Sequence, residues 1–486
     1  MPSIDSRFPL LGLCLIATVL AAMLVTVPVH ADEFQCATLD IDRAGAPAVE
    51  SLRAASPLWL EMDDVFFVCG AAQDFESLTE PQTRRIGQRW QALERGDLFI
   101  VRAAHPGRIA YPNGVSVLTR GGPYAVVEAQ TDEARRRLQR GLWTPHEHAS
   151  GHDEPAINDG CQRPHIEPVQ ESRVLARQSA NAATRGSVTF SPAVADAVAA
   201  VDFDRWFADV ETLAGWNRFT RGDEIDDASA WLVSQFTALG LPVETPTFQV
   251  GATTANNVIA TWTGTTRPDD WFIVGAHYDS VSQDPFNAAP GAEDNASGCA
   301  GVLELARILV PRQPESTILF MCYSGEEQGL FGSDDHAGGL VASGDASKLV
   351  EVQTMDMIGY SGDVDLDVLL ETEPAFASIL DLYVDAAAAF TTLRTVESLN
   401  AFGSDHVPYL NRNLPALLTI ENDWDSYSDY HRTTDLPANI NRQMGGQIVQ
   451  MNAAVLAHQA GLGALGAIFA DGFESGNVSA WSTAQP

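Results

Sequence analysis

The sequence predicts an α/β region on a mixed, mostly parallel central sheet flanked by helices, preceded by a small α+β domain. Three observations carry that expectation. Beyond residue 192, short and almost wholly apolar runs alternate with stretches of helical period, the pattern of strands buried on both faces. The polar residues best suited to chemistry fall at the ends of those runs, where open α/β sheets gather their ligands. Ahead of residue 144 the alternation is missing, and shorter strand-like and helical segments follow one another.

Residues 1–31 read as an export signal. A short region ending in Arg7 precedes an apolar run from Leu10 to Val29, and Val29-His30-Ala31 offers small residues for cleavage before Asp32. The run approaches the ~20 residues that span a bilayer, so a membrane anchor is the competing reading. The small residues favour cleavage after Ala31 and a secreted or periplasmic chain. Leu13 ahead of Cys14 argues against lipid attachment there. With Cys14 removed, Cys36, Cys69, Cys161, Cys299 and Cys322 remain, which allows at most two bridges and one free thiol. Cys36 and Cys69 are the candidate pair within the N-terminal region; Cys299 and Cys322 read as small buried thiols.

Residues 32–144 form the α+β unit. Strand-like runs cover Trp59 to Cys69 and Leu98 to Ala103, with a turn at Pro112-Asn113-Gly114; helical stretches cover Thr79 to Leu93 and Thr131 to Leu142. Its position ahead of the catalytic region suits a propeptide or an accessory domain. Residues 145–191 shift to Pro, Ser, Ala, Gly and charge without a sustained apolar period, and read as a linker. His146, His148 and His152 fall inside it, where a solvated loop is the simpler reading than a metal site, because nothing rigid would hold them.

The catalytic region spans residues 192–462. Helical patterns at Ala193 to Leu213 and Ile225 to Leu239 lead into an extended segment from Val243 to Val250. Apolar strands follow at Asn257 to Thr263, Trp271 to Ala276, Ser316 to Cys322, Val352 to Met357, Leu366 to Leu370 and Ala416 to Ile420. Helices are expected at Ala300 to Leu309, Ala375 to Phe390 and Ile440 to Ala460. Residues 463–486 form a short tail whose Asp471-Gly472-Phe473-Glu474-Ser475-Gly476-Asn477 string, followed by Trp481, is similar to tails of other exported bacterial proteins.

Charge narrows the functions. The 486 residues, enough for two or three domains, carry 64 acidic and 29 basic side chains, a net −35. Such a surface repels nucleic acid and anionic lipid, which excludes both as partners, and accumulates cations.

The chemistry concentrates in GAHYDS, PGAEDNASG, SGEEQGL, TMDMIGY and DYHRTTD, which hold His277, Asp294, Glu326, Glu327, Asp356 and His431. Two imidazoles and three carboxylates suit two divalent cations, and a further Glu beside a ligand Glu can move a proton. His277 and Asp279 stand two apart at a strand end, so both point to one side and Asp279 can orient the ring. Asp294 precedes a helix, where an N-cap is the structural alternative; Glu293 beside it is a second possible donor to cations. Glu326 and Glu327 are bracketed by Gly325 and Gly329, and two adjacent acids there cannot both be buried cheaply unless one meets a cation. Asp356 ends a strand between two methionines. His431 lies in a loop ahead of the last helix.

These strings resemble the di-zinc aminopeptidases of metallopeptidase family 28, close to the secreted bacterial leucyl-type members, over roughly residues 200–461. The resemblance implies a zinc exopeptidase of phosphorylase/hydrolase-like fold with two zinc ions per chain. In that family's arrangement Asp294 would bridge both ions, His277 and Asp356 would complete one, Glu327 and His431 the other. Glu326 would be the general base and Asp279 the residue behind His277. The resemblance also implies a cis peptide at Asp294-Asn295, and it places Gly403-Ser404-Asp405-His406 near the substrate pocket without firm roles. The expected activity is release of N-terminal residues from peptides or proteins with a free N-terminus. A single-zinc glutaminyl cyclase-like acyltransferase, a carboxypeptidase or dipeptidase of the same family, and a non-enzymatic binding relative are the alternatives. The preferred first residue and the oligomeric state are not written in these motifs.

Overall fold

The computed structural model describes residues 188–462 without interruption and, ahead of them, separate stretches between residues 34 and 178. The expected signal, Cys14, Cys161, His146, His148, His152 and the tail beyond residue 462 lie outside the described residues.

The catalytic region is built on four parallel strands ordered Ser316–Tyr323, Arg267–His277, Leu349–Met355 and Ala416–Glu421. Val258–Trp262 is added antiparallel on one side; Asp367–Glu371 is added antiparallel on the other and carries Arg394–Ser398 parallel to it. The mixed, mostly parallel sheet is therefore as the apolar runs indicate. Alternation along the strands serves two cores. Phe272, Val274, Ala276, Ile318, Phe320 and Cys322 face helices Phe203–Leu213, Ile225–Ala238, Ser297–Leu309 and Arg442–Ala460. Ile273, Leu319, Met321 and Tyr323 face the opposite layer, with Ala337, Leu340 and Tyr409. Burying each such aliphatic or aromatic side chain contributes about 1.5–3 kcal/mol, so a strand apolar on both faces is held from both sides.

Several boundaries differ from the sequence expectation. The helical pattern from Ala193 to Leu213 is two helices, Pro192–Ala199 and Phe203–Leu213, because the Asp202 side chain accepts from the Asp204 and Arg205 N–H groups and starts the second. The extended segment from Val243 breaks into Val243–Glu244 and Thr247–Val250 around Pro246. Helix Phe331–Ser343 has no counterpart among the sequence expectations; its glycines and aspartates blur any apolar face. In the N-terminal part, Trp59 to Cys69 is a hairpin of Leu58–Met62 and Val65–Ala71. Thr83–Arg85, within the expected helix from Thr79 to Leu93, is instead a strand paired with Phe34–Asp40; the cross-strand partner outweighs local helical period. Cys36 and Cys69 are disulfide-bonded, and Cys299 and Cys322 are buried free thiols.

The largest correction concerns residues 145–191, which read as a linker. Two strands lie there, His165–Pro168 against Leu98–Arg102 and Arg173–Gln178 between Arg394–Ser398 and Leu58–Met62. Each is too short to show a period on its own and is defined by its partners. Through the second, the catalytic sheet runs on into the N-terminal strands as one thirteen-stranded sheet.

Candidate metal centre

Parallel strands place their carboxyl ends together, and the site is assembled there. His277 is the last residue of its strand, Asp356 follows Met355, and the Ser324–Leu330 turn follows Tyr323. Gly325, at φ 71°, lets the chain turn sharply, so that the next two residues aim inward. Asp294 enters from the turn before helix Ser297–Leu309, and the Asp294-Asn295 peptide is cis, as the resemblance implies. It does not cap that helix; Asn295 instead accepts from the Gly298 and Met357 N–H groups and donates to the Met355 carbonyl, tying the turn to the strand end. His431 arrives on a loop at φ 54°, its ring stacked on Tyr430 with centroids 3.8 Å apart.

All six candidates are buried, and the structure brings them together. His277 Nε2 is 3.2 Å from Asp294 Oδ1, 3.3 Å from Asp356 Oδ1 and 4.0 Å from Glu326 Oε2. On the other side of Asp294, His431 Nε2 is 2.9 Å from Oδ2 and 3.0 Å from Glu327 Oε2. The two oxygens of Asp294 thus face two different imidazole–carboxylate sets. Donor atoms of His277, Asp294 and Glu327, and likewise of His277, Glu326 and Asp356, lie within 4.8 Å of one another.

The surroundings fix these side chains. Asp279 does more than back His277: its carboxylate accepts from the Thr220 hydroxyl at 2.8 Å and from the Glu326 and Glu327 N–H groups at 3.3 and 3.4 Å, while its carbonyl oxygen lies 3.1 Å from His277 Nδ1. Ser404 donates to Asp356 Oδ2 at 2.7 Å, so the Gly403–His406 string does bear on the site. Asp435, four residues past His431, accepts from the Glu293 and Asp294 N–H groups at 2.9 and 3.0 Å. The buried Arg218 guanidinium donates to the carbonyls of Tyr278, Pro290 and Gly291, joining the His277 and Asp294 segments. Sequence reasoning missed Asp435 and Arg218; only the spacing of Asp435 from His431 hinted at it. Glu293 is corrected: its carboxylate accepts from the Gly359 and Tyr360 N–H groups and leaves the cation donors to others.

Electrostatics tests whether divalent cations suit the cluster. Burial raises the Glu327 carboxyl to about 8, Asp294 adding to the rise and His431 opposing it. Burial also lifts Glu326 well above the ordinary carboxyl range, against His277 and helped by Glu327 and Asp356. Burial opposes charge on both imidazoles, but the neighbouring carboxylates outweigh it and hold each well above its ordinary value. Burial opposes ionisation of Asp294 too, yet the two rings keep it well below the usual carboxylate range. On its own charges the cluster is short of positive charge. Apart from His431 Nε2, 3.0 Å from Oε2, neither buried oxygen of Glu327 has a hydrogen-bond donor among the described residues, a costly state for a carboxylate unless a cation meets it. The donor set, imidazole nitrogens with carboxylate oxygens, fits zinc.

A mixed sheet between helical layers, with buried carboxylates and imidazoles converging where the strands end, defines the class of metal-site α/β proteins. Residues 257–456 match the model of Peptidase family M28. A probable zinc metalloprotease of Pyrenophora tritici-repentis is 38% identical over 143 residues, covering 26% of this chain and 29% of that protein. The stretch shared with it is thus less than a third of that relative's length. YfbL of Escherichia coli is 26% identical over 254 residues, 47% of this chain and 78% of that protein. Among solved structures, LapB from Legionella pneumophila is similar with a TM-score of 0.50 at 17% identity, over 74% of this chain and 98% of LapB, a likeness of fold.

Proposed function

We propose that this chain is an exported, zinc-dependent aminopeptidase that removes N-terminal residues from peptides, with two zinc ions and Glu326 as general base. The observation that carries the reading is the placing of Asp294 between two imidazoles: Oδ1 beside His277, which Asp356 also meets, and Oδ2 beside His431, which Glu327 also meets. That placing supports Asp294 as the bridging ligand, with one pair completing each ion. The family M28 match and the relative named a probable zinc metalloprotease support zinc. When bound, the ions would polarise a peptide carbonyl and lower the pKa of a water towards ~7. Glu326, whose Oε2 reaches within 4.0 Å of His277 Nε2, would take that water's proton and deliver it to the leaving amine. Asp279 would hold the Glu326–Glu327 turn through its N–H groups. Export rests on the N-terminal signal pattern, and among the described residues no helix is long and apolar enough to cross a membrane.

Charge favours a free amine over a free carboxylate at the reacting end. Asp279, Asp294, Glu326, Glu327, Asp356 and Asp405 are all buried around the site, so its polar lining is dominated by carboxyl groups. The buried guanidiniums among the described residues, Arg102 and Arg218, are committed to Glu371 and to backbone carbonyls. A substrate ammonium meets attraction there; a terminal carboxylate meets repulsion. The test is zinc content together with cleavage of a panel of aminoacyl anilides and short peptides, some with N-terminal glutamine, each also supplied N-acetylated. Two ions per chain and cleavage of only the free-amine substrates are expected. One ion with cyclisation of N-terminal glutamine would instead make the chain a glutaminyl cyclase, and cleavage of N-acetylated peptides from their carboxyl end would make it a carboxypeptidase.

A further inference from the structure

We propose that Arg102, from the N-terminal part of the chain, is a positioning residue for Asp356, acting through Glu371 and the 399–406 loop. Arg102 is buried, and its guanidinium spans the join between the N-terminal and catalytic parts. Nη2 donates to Glu371 Oε2 at 2.7 Å, and Nη1 to Glu371 Oε1 at 3.3 Å and to the Asn400 carbonyl at 2.9 Å. Glu371 Oε1 also accepts from the Phe402 N–H at 2.8 Å, and His406 Nε2 stands 3.4 Å from it. The guanidinium lies over the Phe402 ring, 4.9 Å from its centroid. One fork therefore holds both sides of the loop, a task for planar guanidinium geometry that a point charge does not perform. Within the loop, Gly403 at φ 75° makes the turn that presents Ser404, whose hydroxyl holds Asp356 Oδ2 at 2.7 Å. Partners that orient a metal ligand typically change metal affinity about 10–100-fold when removed. The route from Arg102 to Asp356 crosses 254 positions of sequence by way of one buried ion pair and one loop.

The inference rests on the reading of Asp356 as a zinc ligand. Its test uses the full-length chain, with zinc affinity from chelator competition, kcat and KM measured separately, and circular dichroism to confirm the fold. Removing Arg102 alone would strand the Glu371 carboxylate, so the pair is replaced together as Arg102→Met with Glu371→Gln, and compared with Ser404→Ala and with all three changes combined. The pair variant and Ser404→Ala are each expected to weaken zinc binding about 10-fold and to lower kcat with little change in KM. The triple variant should do no worse than either, because one route is being cut twice. A natively folded pair variant with unchanged zinc affinity, or effects that multiply in the triple variant, overturns the proposal. If the pair variant does not fold, Arg102→Lys decides: it keeps the charge but not the fork, and unchanged affinity there overturns the proposal equally. Asp356→Asn separates the two readings. If it leaves zinc affinity intact, the ligand assignment fails; if it weakens affinity while the Arg102 variants do not, the positioning role alone fails.

Discussion

At the scale of single residues, the proposed mechanism gives the neighbours Glu326 and Glu327 opposite work, and their surroundings differ accordingly. Glu327 points to His431 and Asp294, where a cation would sit between them. Glu326 points to the His277 side at the longer distance of 4.0 Å. Glu326→Gln keeps the shape and removes the proposed base, so on that reading it should keep its zinc and lose about 10²–10⁴-fold in kcat. Metal analysis beside steady-state kinetics checks this, and normal turnover in the variant would end the general-base assignment. Asp435 offers a second case. Its two oxygens hold the Glu293 and Asp294 N–H groups, and Tyr427 donates to Oδ1 at 2.7 Å. Burial raises this carboxyl to about 6, with the three donors opposing the rise. Asp435→Ala should loosen the Asp294 turn and weaken zinc retention about 10–100-fold, read by chelator competition; unchanged retention would reduce Asp435 to a packing residue.

At the scale of elements, helix Arg442–Ala460 decides how closely the layer over the sheet can pack. A Cβ on Gly445 would lie 2.0 Å from Trp206, and one on Gly446 would lie 2.4 Å from Phe203. Trp206 in turn donates its indole N–H to the Ser297 carbonyl at 3.0 Å, at the start of the helix that follows Asp294. Gly445→Ala should therefore cost about 1–3 kcal/mol through overpacking, seen as a lower Tm, whereas Gly339→Ala, with open space around its Cβ position, should be tolerated. The same contrast explains what could be read from sequence. Strands such as Ser316–Tyr323 are legible because burial on both faces demands an unbroken apolar run. The candidate metal ligands are legible because acids and imidazoles at strand ends have few structural uses. Arg173–Gln178 is illegible because its identity lies in partners more than a hundred residues away, two of them in Arg394–Ser398. Asp435, Arg102 and the role of Ser404 escape for a related reason: each acts through hydrogen bonds or ion pairs to partners distant in sequence, which leave no periodic trace.

At the scale of the whole molecule, the N-terminal part and the catalytic region share structure rather than merely adjoin. Arg173–Gln178 joins their strands into one sheet. Leu58, Leu60, Tyr124 and Leu175 pack in one core with Met357, Leu369, Val396, Leu418, Ile420 and Trp424. Removing residues 1–187 would bare that apolar face and the Arg394–Ser398 edge, so the truncated chain should aggregate or melt well below the full chain. Soluble yield and Tm measure this; a trimmed protein that stays soluble and active would instead show that the later region stands without the N-terminal part, as a removable propeptide requires. The join also carries a pH signature. Burial opposes ionisation of Glu371, but Arg102 and His406 outweigh it and hold the carboxyl below its ordinary value. A carboxyl lowered in the folded state stabilises the fold fully above its unfolded pKa of about 4.3. That contribution fades as pH falls through the lower folded value, because the pair then has to take up a proton. The full chain should therefore be more stable than its Glu371→Gln variant at neutral pH, since the glutamine leaves Arg102 buried without its counter-charge. Below about pH 4 the two stabilities should converge, as urea unfolding at a series of pH values would show. A gap that stayed constant from neutrality into acid would mean that the Arg102–Glu371 pair does not hold the two parts together through charge.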